Sequence, residues 1–146
     1  MRITFYNTFT RFCGNNTVDL DSDTFGCSLL TSSYTVDKDH DFRNDTDAFE
    51  IPATGGYTAG GVTLTGVTFL TTTGANGFTT FTFANPTWNP LTASNIQHAL
   101  IYKRRGGASS ADELCFVWTA TNPISPNATQ FTIVVPPTGA FRHLGI

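Results

Sequence analysis

Short runs rich in threonine, phenylalanine and valine recur along the chain, and glycine, proline or asparagine separates each run from the next. Threonine occurs 26 times among 146 residues, and phenylalanine, with 13 copies, is the leading aromatic. β-branched and aromatic side chains suit half-buried strands, and the residues between the runs favour tight turns. The sequence therefore predicts a mainly β protein, an antiparallel β-sandwich or barrel of about six to eight strands.

Two local signals refine this prediction. Phe5, Phe9 and Phe12 lie at helix-like separations before Gly14, so we expect a short N-terminal helix with all three rings facing the core. Residues 74–77 (GANG) form a strong hairpin signal, which predicts antiparallel pairing of the runs on either side.

The length of the chain fits a single β-sandwich domain, residues 1–146, that is large enough to bury a core. Residues 31–56 are polar and acidic, and we expect them to form an extended loop, called here the acidic loop. Loops of this length are usually functional, interfacial or ordered by a partner. Residues 136–146 begin with two prolines and show no periodicity, which indicates an extended tail that docks on its own core or on a neighbour.

Charge is scarce and unevenly distributed. Charged residues make up 13% of the chain, the net charge is −3, and nine of the 11 carboxylates lie between Asp19 and Glu50. Lys103, Arg104 and Arg105, called here the basic cluster, are expected to form a solvated hairpin tip. An acidic chain without a basic face argues against a nucleic-acid partner. A weakly charged exterior is a weak barrier to association and favours an assembly subunit.

The cysteines and the hydropathy pattern indicate the cellular compartment in which the protein folds. Cys13, Cys27 and Cys115 are an odd number with no C-x-x-C pair, which argues against a disulfide framework. The N-terminus lacks the apolar core of a signal peptide, and no stretch approaches the about 20 apolar residues that span a bilayer. We therefore expect no membrane partner, and synthesis and folding in a cytoplasm.

Two acidic runs raise the question of a metal site. Residues 19–23 (DLDSD) and 37–42 (DKDHDF) place carboxylates at every second position, as calcium-binding loops do. Neither run has the glycine and glutamate that an EF-hand needs at its sixth and twelfth positions. Aspartates that accept hydrogen bonds from nearby backbone amides are the favoured interpretation. An irregular calcium site at Asp37, Asp39 and Asp41 stays open as the alternative; otherwise we predict no metal and no cofactor.

Catalytic patterns are missing from the sequence. His40, His98 and His143 lack the spacing of zinc ligands, and there is no nucleophile elbow, phosphate-binding loop or dinucleotide fingerprint. Acid catalysis by a carboxyl needs a raised pKa, usually from burial, whereas clustered loop aspartates stay solvated. We therefore predict that the protein is not an enzyme.

Aromatic residues in predicted loops indicate where a partner binds. Tyr34, Tyr57 and Trp88 can stack on a ligand or anchor an interface. We place the partner interface on these rings and on the second acidic run: Tyr34, Asp37, Asp39, His40, Asp41, Phe42, Tyr57 and Trp88.

Several segments taken together resemble a group of small tailed-phage virion proteins. They are DLDSDTFGCSLLTSSYTVDKDHDF, then GGYTAGGVTLTGVTF, then ALIYKRRG, with Trp88 in NPTWNP after the central strands. The resemblance covers most of residues 15–105. The chain departs from the pattern because it lacks the charged helix usual near the N-terminus and because its middle is rich in threonine and phenylalanine.

This resemblance implies a structural protein of the phage particle. We expect a head decoration (cement) protein that binds and stabilises the outer capsid lattice, with the major capsid protein and copies of itself as partners, and a homotrimer as the arrangement. It would lie on the head surface after synthesis in the host cytoplasm. The alternatives are a tail or fibre component that recognises a host-surface glycan through Tyr34, Tyr57 and Trp88, and a head-tail or tail-tube building block.

Overall fold

Strands dominate the computed structural model, which describes residues 1–72 and 77–144. Strand residues make up 40% and helical residues 11%, and the described residues form ten strands. The strands are β1 (Arg2–Phe5), β2 (Phe25–Thr31), β3 (Val62–Thr63), β4 (Thr68–Thr71), β5 (Phe78–Thr82), β6 (Thr87–Leu91), β7 (Ile96–Lys103), β8 (Leu114–Ile124), β9 (Thr129–Thr132) and β10 (Phe141–Leu144). The predicted mainly β class is confirmed, although several short strands bring their number above the predicted range.

The strands pair antiparallel in three sheets. The largest has the order β1-β8-β7-β2-β3, a second has the order β10-β5-β4, and β6 pairs with β9 alone. Stacked sheets of this kind match the sandwich rather than the barrel, since no barrel closes within residues 1–72 and 77–144. The runs flanking GANG pair as β4 and β5, as predicted. The turn itself, apart from Gly77, lies outside the described residues.

Aromatic rings fill the main core between the large sheet and the smaller ones. Phe69, Phe81 and Phe141 lie side by side across β4, β5 and β10. The fully buried Phe81 packs edge-on against Phe25 of the large sheet, with ring centroids 5.3 Å apart, and 6.4 Å from Phe116. Burial of such rings supplies much of the driving force for folding, and their offset and edge-to-face contacts add to it.

The opposite face of the large sheet is also buried, and the acidic loop covers it. A second apolar cluster contains Tyr6, Leu30, Tyr34, Leu100, Tyr102, Leu114 and Val117, with Val36 and Phe49 packed against it. Two short 3₁₀-helices, Arg43–Asp45 and Asp47–Phe49, order the loop within the chain itself. The acidic loop therefore forms a third layer of the fold.

The N-terminal helix is shorter than the phenylalanine spacing predicted. Helix α1 spans Phe9–Gly14 and buries Phe9 and Phe12, as expected. Phe5 instead ends β1, where it pairs with Phe116 of β8, and 36% of it is exposed. The prediction that Phe5 faces the core from a helix is wrong because pairing along the edge of β8 extends this segment.

No helix among the described residues is long and apolar enough to cross a membrane.

The C-terminal tail docks on its own core, which was one of the two predicted outcomes. β10 adds to the edge of β5, and the Phe141 ring contacts those of Phe5, Phe9, Phe81 and Phe116. Residues 145–146 lie outside the described part.

The three cysteines are free thiols.

Candidate functional site

Hydrogen bonds to nitrogen donors hold the first half of the acidic run 37–42. Asp37 Oδ1 accepts a 3.0 Å bond from the Asp39 backbone N–H, and Asp39 Oδ1 accepts a 2.6 Å bond from the Asn7 side-chain amide. Among the described residues, no group of three or more His, Cys, Asp or Glu side chains is arranged to hold a metal ion. The structure therefore does not gather Asp37, Asp39 and Asp41 into a calcium site.

The other half of the run serves as an anchor for the acidic loop. The Asp45 carboxylate accepts bonds from the backbone N–H groups of Asp41 (2.9 Å) and Phe42 (3.2 Å). Phe42 forms a β-bridge with Glu113, and its ring lies 6.0 Å from that of Phe12. Asp41 and Phe42 thus tie the loop to the large sheet and to α1.

The earlier acidic run, residues 19–23, is a turn that its own carboxylates stabilise, as predicted. Asp19 Oδ1 accepts a 3.0 Å bond from the Asp21 N–H, and Asp23 Oδ2 accepts a 2.7 Å bond from the Asp19 N–H. The backbone bond from Asp21 is the main cause that lowers the pKa of Asp19 below its ordinary value.

A hydroxyl and imidazole chain links the loop to the second apolar cluster. The Tyr34 hydroxyl lies 3.0 Å from that of Tyr6 and 3.2 Å from His40 Nδ1. Burial raises the pKa of both tyrosines, so both hydroxyls stay protonated and available as hydrogen-bond donors. His40 therefore lies at the rim of a buried polar chain and not at an open site.

The three aromatic residues predicted to face a partner are buried. Tyr34, Tyr57 and Trp88 are only 3%, 4% and 4% exposed. Tyr57 stacks on Trp88 at 6.3 Å, and Trp88 packs against Phe131 at 6.0 Å. The prediction that these rings present their faces to a glycan or a partner is wrong, because each ring packs inside one of the two apolar clusters.

An arginine that the sequence did not single out is the centre of an ion-pair network. Arg43 Nε donates to Asp112 over 3.0 Å, and Nη1 lies 3.3 Å from Asp47 and 3.4 Å from Glu50. The guanidinium also lies over the Tyr102 ring, with its carbon 5.2 Å from the centroid. Burial alone would lower the pKa of Arg43, but the surrounding acceptors, Asp112 first, raise it.

Glu50 carries the network to a glycine-rich turn. Its Oε1 accepts a 2.5 Å bond from the Tyr57 hydroxyl and a 2.6 Å bond from the Gly60 N–H. The Tyr102 hydroxyl donates to the Gly60 carbonyl over 2.6 Å, and burial raises the pKa of Tyr102 to about 12. Gly61 has φ +64°, and a Cβ there would lie 1.9 Å from the Cys27 carbonyl oxygen, so only glycine fits the turn.

The basic cluster is not the solvated tip that the sequence predicted. Lys103 Nζ lies 2.7 Å from Asp23, and Arg105 contacts both oxygens of Glu113, the shorter distance being 2.6 Å. Arg104 alone has no carboxylate within ion-pair distance in the part of the chain that the structure describes. The pairing of β2 with β7 brings Asp23 close to Lys103, and the pairing of β7 with β8 brings Glu113 close to Arg105, which explains the difference.

The network joins three segments that are distant in sequence: the acidic loop, the GGYTAGG turn and the end of β7. Sequence reasoning missed Arg43, Glu50, Asp112 and Glu113. The spacing of Arg43 and Asp47, four positions apart, was the one local signal.

No known family model, curated protein or solved structure matches this chain.

Two of the cavities at the surface of the described residues differ sharply in the polarity of their lining. The polar cavity, about 130 Å³, borders the network and is lined by Arg43, Ala59, Gly60, Tyr102, Arg104, Gly106, Gly107 and Asp112. The apolar groove, about 150 Å³, is lined by Met1, Ile96, Gln97, His98, Ala99, Trp118, Ala120, Ile124, Phe131, Thr132, Ile133 and Val134. The first is suited to an ion, and the second to an apolar side chain.

The apolar groove brings together large apolar side chains that are exposed to water. Met1, Ile124 and Val134 are 63%, 46% and 63% exposed, and they are three of the five exposed large hydrophobic residues among those described. Charged side chains are missing from its described lining. Exposed apolar side chains that meet in one groove make it a candidate contact surface for another protein.

Proposed function

We propose that the protein is a structural component of a tailed-phage particle, and specifically a head decoration protein that binds the outer capsid lattice. The apolar groove is the observation that carries this proposal. The resemblance to small virion proteins, which covers most of residues 15–105, supports it independently. The major capsid protein and further copies of this chain are the proposed partners, with a homotrimer as the arrangement.

The proposed mechanism involves no chemistry. Burial of the side chains around the groove, such as Ile124 and Val134, against a neighbouring subunit removes apolar area from water, at roughly 25 cal/mol per Å². A protein that binds only the assembled lattice stabilises that lattice by mass action. The network around Arg43 supports this role because it neutralises many of the protein's own charges internally, and the exterior stays weakly charged.

Copy number in purified particles tests the proposed place in the virion. On symmetry grounds, a decoration protein is present in the order of hundreds of copies per particle, whereas a head-tail or tail-tube building block occurs in far fewer. Quantitative mass spectrometry, with imaging of the particle, separates the two. A count of about a dozen or fewer would rule out decoration.

Matched variants test the proposed surface. We expect Val134→Asp to abolish binding to purified capsids, because a carboxylate in the groove cannot be desolvated without cost. Leu70→Asp is the control, since Leu70 on β4 is similarly exposed (61% against 63%) and does not line the groove. Equal binding by both variants would rule out the groove as the contact.

A further inference from the structure

We propose that the polar cavity is a binding site for a single carboxylate group, with Arg104 as its principal ligand. Arg104 Nη1 lies 3.2 Å from the Gly60 carbonyl and 3.3 Å from the Tyr102 hydroxyl, which are both neutral groups. Its neighbours Lys103 and Arg105 each have a carboxylate partner. Within the described residues, Arg104 is thus the half-buried cation of the cluster whose charge no carboxylate balances.

The loop after Arg104 supplies further donors to the same cavity. Gly106 and Gly107 line it, and their backbone N–H groups donate to no acceptor within residues 1–72 and 77–144. A Cβ at either position would meet nothing within 4 Å, so the backbone is accessible. A guanidinium together with unpaired loop amides is the donor set that binds oxyanions in proteins.

The charges around the cavity favour an anion with one negative charge. The charged side chains that line the cavity are Arg43, Arg104 and Asp112, and Arg43 is also paired with Asp47 and Glu50 behind the lining. Asp112 is already satisfied, because it accepts bonds from Arg43 Nε (3.0 Å) and from the Arg105 backbone N–H (2.9 Å). The lining by itself therefore carries one positive charge in excess, that of Arg104, while the carboxylates around Arg43 repel a dianion such as phosphate more strongly than a carboxylate.

The carboxylate has two sources with the same chemistry: an aspartate or glutamate side chain of a protein partner, or a small free acid. The site does not depend on the proposed function, since any partner or solute with an accessible carboxylate can fill it. A cavity of about 130 Å³ accommodates the carboxylate with a short stem.

Nuclear magnetic resonance titration of the full-length, ¹⁵N-labelled protein tests the site. Sodium acetate, added at constant pH and ionic strength, is expected to shift the Gly106 and Gly107 amide signals until they saturate. Arg104→Gln should weaken the apparent affinity at least about tenfold, as loss of a charge-assisted hydrogen bond does, and it retains an amide donor toward Gly60. Arg142→Gln, which makes the same charge change on β10, should leave the affinity unchanged.

A second variant and two further probes complete the experiment. Gly107→Glu places a tethered carboxylate beside the cavity and should abolish the acetate response while Arg104 remains in place. An aspartate capped as amides at both ends should bind tighter than acetate if a protein side chain is the natural ligand, and no tighter if a small acid is. A response that does not saturate, that survives Arg104→Gln, or that phosphate reproduces at equal affinity would overturn the proposal.

Discussion

Arg43 and Asp112 are 69 positions apart in sequence, yet Arg43 Nε donates a 3.0 Å hydrogen bond to the Asp112 carboxylate. The pair joins the acidic loop to the β7–β8 connection, and both side chains are largely buried. Asp112 also accepts the Arg105 N–H, so one carboxylate positions two layers of the fold. The loop layer is therefore held to the large sheet by charge as well as by the apolar cluster beneath it.

Removal of this arginine should destabilise the protein measurably. We expect Arg43→Gln to lower the free energy of unfolding by about 2–4 kcal/mol, because it leaves Asp112 and Glu50 buried with an unbalanced charge. Urea denaturation measures the change. Arg142→Gln is the control at an exposed position: it loses a cation–π contact with Phe78 and should cost at most about 1 kcal/mol. A loss for Arg43→Gln no larger than that of this control would contradict the role of the network.

Stability should fall as the pH decreases below about 6.5, in part because of His98. Burial, and to a lesser extent Arg2, lowers the pKa of His98 below its ordinary value of 6.5, and its Nδ1 lies 3.0 Å from the Thr119 hydroxyl. Below 6.5 the unfolded chain therefore binds a proton that the folded protein does not, which favours unfolding. Denaturation from pH 7 to 5 should show a shallower decline for His98→Gln than for the wild type. A decline for His98→Gln as steep as that of the wild type would contradict this role of His98.

Local patterns predicted the strands but not the layer that covers them. Ile96 to Lys103 alternates in sequence and forms β7, because the period of side chains along a strand is visible within a few residues. The apolar residues of the acidic loop, such as Tyr34 and Phe49, follow no strand or helix period, so their burial depends on contacts that only the folded chain makes. For the same reason, the sequence did not indicate that Arg43 pairs with Asp112.

Trp88 should contribute to stability rather than to recognition. Trp88→Ala removes a ring packed between Tyr57 and Phe131 and should cost about 3–5 kcal/mol of unfolding free energy. Trp88→Phe should cost far less, because the buried indole N–H has no hydrogen-bond partner among the described residues, and phenylalanine loses only volume. Calorimetry or urea denaturation of both variants checks this order. Equal stability of Trp88→Ala and the wild type, combined with loss of binding to a glycan, would instead restore a recognition role.

Variants of the exposed residues Asp37 and Asp39 distinguish a role of their carboxylates in assembly from a role in metal binding. We expect Asp37→Ala and Asp39→Ala to leave the fold intact, with Asp39→Ala slightly the less stable because Asn7 loses its 2.6 Å acceptor. Both should weaken binding to capsids, since exposed charges on the outer layer steer and orient association. Thermal melting of the isolated protein with and without a chelator is the decisive control. A chelator that lowers the melting temperature by several degrees would show that these carboxylates hold calcium, whereas unchanged melting with reduced capsid binding assigns them to the interface.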